Sequence, residues 1–226
     1  MTAPVPLPPP GWDFASAHWP DDDCVAAGAD LEPSTLVDAY RNGLFPMPDA
    51  GQLLWWCPLE RGVLEPGRIR ISRSLRASTR RFTVTVDQDF EGVVAGCADP
   101  RRPGAWIAPS IARAYQRLHE LGWAHSIEVR DDDGALVGGL YGVAVGHLFA
   151  GESMFHRARD ASKVALVRLV ELLESQAGSD YLVDTQWQTP HLATLGVSTM
   201  TREAYLHRIG PLTAAPPLDW TFSTTG

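Results

Sequence analysis

The stretch Gly138–Lys163, GGLYGVAVGHLFAGESMFHRARDASK, decides how the chain folds. Apolar runs flank Val145-Gly146-His147, and glycine supplies the backbone angles that a tight turn demands, so the segment predicts a hairpin. Glu152 interrupts the second run between Gly151 and Ser153. A carboxylate among such neighbours needs a cation or a donor to offset its desolvation, which makes it a candidate site residue. A salt bridge to Lys163, the only lysine in the chain, or to an arginine of Arg157 to Arg159, is the plainer explanation.

Downstream, Asp160 is placed to cap a helix reaching Gln176, with Leu166, Leu169, Val170 and Leu173 recurring on one face and a solvated polar side. After Gly178 the run Tyr181–Trp187 predicts a strand, whose period of two points Asp184 and Gln186 the same way. Strand, strand, helix, strand with mixed pairing implies an α+β core.

Toward the N-terminus, the proline-rich Met1–Pro10 predicts an extended, mobile lead-in. A helix is expected over Glu32–Gly43, and Trp55 and Trp56 are expected on opposite sides of a strand, one in the core and one free. Ile69 and Ile71 alternate with Arg68 and Arg70 like a strand, Phe82–Asp87 predicts another, and Phe90–Ala98 and Pro109–Leu121 predict helices. Ala124–Val129 and Ala135–Tyr141 form a hairpin around Asp131-Asp132-Asp133-Gly134, while short helices are expected near Thr189–Gly196 and Thr201–Leu206. The acidic triplets at 21–23 and 131–133 read as solvated turns rather than metal ligands, which need spaced carboxylates.

The 226 residues, 45% of them hydrophobic, suffice for one core, or one core and a smaller satellite domain. No apolar run approaches the roughly 18 to 20 residues that span a bilayer, and MTAPVPLPPPGW lacks the features of a secretion signal, so a cytoplasmic location without membrane contact is expected. Cys24, Cys57 and Cys97 lack metal-ligand spacing, so free thiols and no metal are expected. The net charge of −8 argues against a chain coated in nucleic acid. Arg61, Arg68, Arg70, Arg73, Arg76, Arg80 and Arg81 against the single acid Glu65 nevertheless allow one basic face.

Leu53-Leu54-Trp55-Trp56-Cys57-Pro58, Ile71-Ser72-Arg73-Ser74, His119-Glu120-Leu121-Gly122, His125-Ser126-Ile127-Glu128, Gly151-Glu152-Ser153-Met154-Phe155 and Asp184-Thr185-Gln186 together resemble the bacterial leucyl/phenylalanyl-tRNA protein transferases. Their order and spacing, from about Phe45 to Tyr205, carry the resemblance. It implies a GNAT-like acyltransferase domain with a mixed sheet over residues 67–226, preceded by a small N-terminal α/β domain over residues 1–66. It also implies a monomer without cofactor that moves leucine or phenylalanine, with methionine a further candidate, from aminoacyl-tRNA to the free α-amine of proteins beginning with Arg or Lys. The product would be marked for N-degron proteolysis.

On that resemblance, Gln186 is expected beside the attacking amine or reacting carbonyl, with Asp184 orienting it, and Glu152 attracts the cationic acceptor side chain. Leu140, Phe149, Met154 and Leu166 form an apolar donor slot. Trp56, Trp106 and Tyr115 are surfaces for the terminal adenosine, and Arg73, Arg76, Arg80 and Arg81 grip tRNA phosphates. Met47, His156 and Thr185 depart from the family pattern. The rival readings are an acetyl-CoA-dependent acetyltransferase, whose pyrophosphate loop Arg101–Trp106 matches only incompletely, a noncatalytic RNA-binding module and a degradation adaptor.

Overall fold

The computed structural model describes residues 3–14, 19–102 and 106–221. Within them β1 (Cys24–Ala27), β2 (Phe45–Pro46) and β3 (Leu54–Trp56) form a small antiparallel sheet in the order β1-β3-β2. The remaining strands are β4 (Glu60–Leu64), β5 (Thr83–Val86), β6 (Ala124–Arg130), β7 (Leu136–Val145), β8 (Leu148–His156), β9 (Leu182–Gln186) and β10 (Ser198–Thr201). They form one large sheet, β10-β4-β9-β8-β7-β6-β5, in which β8 and β9 run parallel and the other neighbours antiparallel. The helices are α1 (Pro33–Arg41), α2 (Arg73–Ser78), α3 (Phe90–Cys97), α4 (Pro109–Glu120), α5 (Ala161–Ala177), α6 (Pro190–Thr194) and α7 (Arg202–Thr213). The fold is α+β with a mixed sheet, as the sequence implies. No helix among the described residues is long and apolar enough to cross a membrane.

The predicted hairpin forms from β7 and β8, which close at Val145 opposite Leu148 around Gly146-His147. Gly146 has φ of 57°, and a Cβ there would lie 2.2 Å from the Leu212 carbonyl oxygen, so both the turn and the end of α7 require glycine. Helix α5 makes the crossover that a parallel β8–β9 pair needs. Its expected stripe Leu166, Leu169, Val170 and Leu173 faces inward, but Val164, Ala165, Val167 and Leu172 are buried too, so the apolar front is wider than one stripe. Asp160 does not cap it: this residue is left-handed at φ of 66°, and its carboxylate takes Lys163 Nζ at 2.9 Å and the Ser78 hydroxyl at 3.2 Å.

One core cluster joins Leu140 and Phe149 of the sheet to α5. A second joins Tyr141, Val143 and Ala150 to α1, α3 and α4, and continues into Phe14 and Trp55. The N-terminal segment thus shares a core with the large sheet. A line drawn after residue 66 would also cut β4 from the strands it pairs with, β9 and β10.

Two further expectations are corrected. Arg68–Ile71 is not a strand; Arg70 N–H donates to the Leu195 carbonyl, and the segment crosses Gly196, where a Cβ would lie 2.0 Å from the Arg68 carbonyl oxygen. The lead-in is docked, because Val5 N–H donates to the Leu121 carbonyl at 2.8 Å and the Trp123 indole donates to the Val5 carbonyl at 2.9 Å. Gly122 permits this approach: a Cβ there would lie 3.1 Å from Pro4 Cα.

Since the strap helps bury Trp123, deleting residues 1–8 is predicted to cost about 1–2 kcal/mol and to lower Tm by roughly 3–6 °C. An unchanged Tm in calorimetry would show that the strap rests on the surface without contributing burial.

Candidate functional site

The site opens where two parallel strands part. β8 and β9 pair from Leu148 opposite Leu182 to Ala150 opposite Asp184, and beyond that point both continue unpaired to one another. In the same place β8 carries a bulge, since Tyr141 faces Ser153 and Gly142 faces Gly151, leaving Glu152 as the extra residue. The bulge shifts the alternation by one, which is why Phe149 and Met154, five positions apart, line the same cavity.

That cavity has a volume of about 260 Å³ and is mainly apolar. Leu140, Phe149, Met154 and Leu166 all line it, together with Leu169, Val183 and Leu192, and its polar lining includes Glu152, Gln186, Arg102, Thr185, Thr189 and His191. The Gln186 amide Nε2 donates to Glu152 Oε1 at 3.4 Å. Of the residues expected to bind substrate, Tyr115, Trp56 and Trp106 do not line the cavity. Tyr115 is fully buried behind Glu152 and donates to its Oε2 at 2.6 Å. Trp56 meets Trp187, the residue after Gln186, edge-on at 5.9 Å, and Trp106 packs on the core that holds α4.

Glu152 is not paired with Lys163 or an arginine, contrary to the plainer expectation. Tyr40 donates to its Oε1 at 2.6 Å, and the Tyr40 and Tyr115 hydroxyls lie 2.6 Å apart. Burial drives the Glu152 pKa up, the two tyrosyl donors oppose the rise, and nearby Asp184 adds to it; the result is about 7. Burial also pushes both tyrosines well above their ordinary range.

Asp184 is fully buried and does not line the cavity; its contact with the cavity wall is through Gln186. Arg61 grips it with two donors, Nε to Oδ1 at 2.8 Å and Nη2 to Oδ2 at 2.5 Å. Tyr205 donates to Oδ2 at 2.8 Å, and the Gln186 main-chain N–H donates to Oδ1 at 2.9 Å. The last bond holds Gln186 at φ of 58°, a left-handed conformation that a non-glycine residue adopts at a cost of about 1 kcal/mol or more. Hence Asp184 and Gln186 do not simply share a strand face: the strand ends in a twist that the carboxylate fixes.

Arg61 belongs to this site and not to the basic face. Its guanidinium lies between the Phe45 and Tyr205 rings, at 4.9 and 4.4 Å, and Nη1 donates to the Gly43 carbonyl at the end of α1. Burial opposes its charge, but Asp184 more than compensates and raises its pKa. Gly62 makes the crossing possible, because a Cβ there would lie 2.5 Å from Gln188 N. The other arginines of the stretch, including Arg73, Arg76, Arg80 and Arg81, are exposed on α2 and its flanks. The Ser78–Asp160 bond ties α2 to the start of α5, the helix whose Leu166 reaches the cavity.

No local pattern marks Arg61, Tyr40 or Tyr205 as site residues, whereas Thr185 stands in the Asp184-Thr185-Gln186 motif, and its buried hydroxyl lines the cavity without a partner among the described residues. Residues 103–105, within the segment compared with a pyrophosphate loop, lie outside the described residues. No group of three or more His, Cys, Asp or Glu among the described residues could hold a metal ion.

Residues 63–210 match the family model described as leucyl/phenylalanyl-tRNA protein transferase, and residues 29–59 match that of its N-terminal domain. The chain belongs to this transferase family. A relative from Dechloromonas aromatica (strain RCB), named leucyl/phenylalanyl-tRNA–protein transferase, is 48% identical over 198 residues, covering 84% of this chain and 83% of the relative. One of the same name from Aromatoleum aromaticum (strain DSM 19018 / LMG 30748 / EbN1) is 51% identical over 189 residues, covering 81% and 78%. As a family member the chain is an aminoacyltransferase, with aminoacyl-tRNA as donor and protein as acceptor.

Between the ordinary carboxyl pKa and about 7, the folded chain holds a proton on Glu152 that the unfolded chain has lost, so this residue's contribution to stability falls as pH rises. Glu152→Gln is therefore predicted to gain stability relative to the parent from about pH 5 to about pH 8, by at most about 3 kcal/mol in urea unfolding. A difference that stays constant with pH would place the Glu152 pKa in the ordinary range.

Proposed function

We propose that the cavity takes the side chain of leucine or phenylalanine, with methionine a further donor, while Glu152 takes the cationic side chain of an acceptor that begins with Arg or Lys. The observation that carries this reading is that Glu152 and Gln186 stand side by side in the wall of a mainly apolar cavity. An apolar wall of that kind selects by depth and width, which disfavours side chains branched at Cβ.

The transfer itself needs little activation. The donor ester is already reactive, and an α-amine with a pKa near 8 is partly neutral in the cytoplasm, where this reading places the enzyme. The amine nitrogen forms a bond to the ester carbonyl carbon, the bond to the ribose oxygen breaks, and the amine proton leaves as that oxygen gains one. With its Nε2 turned to Glu152, Gln186 offers its amide oxygen to an N–H of the attacking amine and so aims the lone pair. An amide is too weak a base to remove the proton, so Gln186 positions and stabilises. Asp184 holds Gln186 in place. The splayed β8–β9 pair with its α5 crossover suits a GNAT-like acyl-transfer cleft.

The exposed arginines at 73, 76, 80 and 81 provide contacts to tRNA phosphates without reading bases. Trp56 and Trp106 stand outside the cavity wall, so stacking of the terminal adenosine on them would occur beyond it. A monomer suffices for every group named.

Labelled leucyl-tRNA mixed with a peptide beginning in Arg, and with its N-acetylated twin, tests the reading. Label is expected only on the free amine, with at least about a hundredfold slower transfer in Gln186→Ala. Label on the acetylated peptide, or an unaffected Gln186→Ala, would contradict it. Donor binding is expected to weaken steeply with salt, and replacing Arg73 and Arg76 by Ser to flatten the log–log slope by about one per lost phosphate contact. An unchanged slope would remove this face from tRNA binding.

A further inference from the structure

Three oxygen pairs close a ring at the head of the cavity: Tyr40 Oη to Glu152 Oε1, Tyr115 Oη to Glu152 Oε2, and Tyr40 Oη to Tyr115 Oη, each 2.6 Å. An O···O distance this short is that of a hydrogen bond and requires a proton between the atoms. Each phenol has one proton, and an ionised carboxylate has none. With Glu152 ionised the ring holds two protons for three contacts, and two phenolic lone pairs would face each other at 2.6 Å. One more proton, on Glu152, satisfies all three contacts, with one tyrosyl contact then running from the carboxyl to the phenol.

We propose that Glu152 is a neutral carboxylic acid in the free enzyme, its proton completing the ring with Tyr40 and Tyr115, and that seating a guanidinium or primary ammonium group beside it expels this proton to solvent. The proposal rests on the reading of Glu152 as the acceptor site and adds how the site discriminates. Ionisation leaves one of the ring's contacts without a proton, and only a ligand that brings a fixed positive charge compensates for that. An acceptor with a neutral first side chain leaves the ring closed. Tyr40 and Tyr115 are thus positioning residues for specificity.

The surroundings agree. Tyr141 approaches from β7 with a buried hydroxyl that finds no partner among the described residues, so it adds no donor to the carboxylate. Arg61, the nearby guanidinium, is committed to Asp184, whose own charge disfavours a second anion. Arg102 shares the cavity but is turned onto the carbonyls of Cys97 and Met154, and Lys163 is held by Asp160. Arg61 still favours an ionised Glu152 through its charge, and His191 lines the same cavity, but no ion pair to Glu152 forms among the described residues. Burial raises the Glu152 pKa, the sign that the proton count requires, against the two phenols, which lower it when both donate.

Two measurements separate this proposal from the reading it rests on. Infrared difference spectra of the free enzyme between about pH 8.5 and about pH 6 are expected to show a protonated-carboxyl band with a midpoint near 7 that is missing in Glu152→Gln. No such band would overturn the proposal whether or not peptides bind. Calorimetry with the product peptide Leu-Arg-Ala-Ala at about pH 6, in two buffers of different ionisation enthalpy, is expected to show about 0.9 proton released per peptide bound. It is also expected to show at least tenfold weaker binding and no release with Glu152→Gln. Tight binding without release would overturn the coupling. Binding that ignores Glu152→Gln would instead overturn the acceptor assignment while leaving the infrared band in place.

Discussion

A buried guanidinium on a buried carboxylate holds this site together. Removing two charges from water costs several kcal/mol each, and the attraction repays that only when the remaining donors and acceptors are also satisfied. Here they are, by the Gly43 carbonyl, the Tyr205 hydroxyl and the Gln186 main chain. The pair joins β4 to β9 and reaches the end of α1 and the face of α7, so four elements that share no local sequence meet at one point. An apolar pair of similar volume could fill the space as well, but it could not hold Gln186 at a positive φ.

From that anchor the remaining geometry follows. The β8–β9 ladder stops at Ala150 and Asp184. Beyond it one strand bulges at Glu152 and the other twists at Gln186, so both candidate side chains sit where regular pairing fails. The apolar cavity occupies the space between the separating strands, roofed by Leu166 and Leu169 of α5. Polar groups and a greasy wall within one cleft suit a reaction that must hold an aminoacyl group beside an amine nucleophile.

Much of this was legible in the sequence wherever the cause was local. Glycine placement and alternation identified the hairpin, and apolar spacing identified α5 and the strand bearing Asp184. The odd carboxylate at 152 stood out because its immediate neighbours are apolar. What stayed hidden depends on partners far along the chain. Charge counting places Arg61 with the basic stretch because it cannot see a carboxylate 123 positions away. Glu152 was expected to meet a cation and instead meets two tyrosines, 112 and 37 positions away. The docked strap was missed for the same reason, since prolines without local periodicity say nothing of Trp123, whose indole they reach.

The most direct test of the central claim is a double-mutant cycle on the buried pair, read by both urea unfolding and the rate of amino-acid transfer. Arg61→Met or Asp184→Leu alone strands a buried charge, and each is predicted to cost about 3–5 kcal/mol of stability and nearly all transfer. The double substitution is predicted to recover most of the stability and none of the transfer, because nothing then holds Gln186. Recovery of transfer along with stability would contradict the account and reduce the pair to packing.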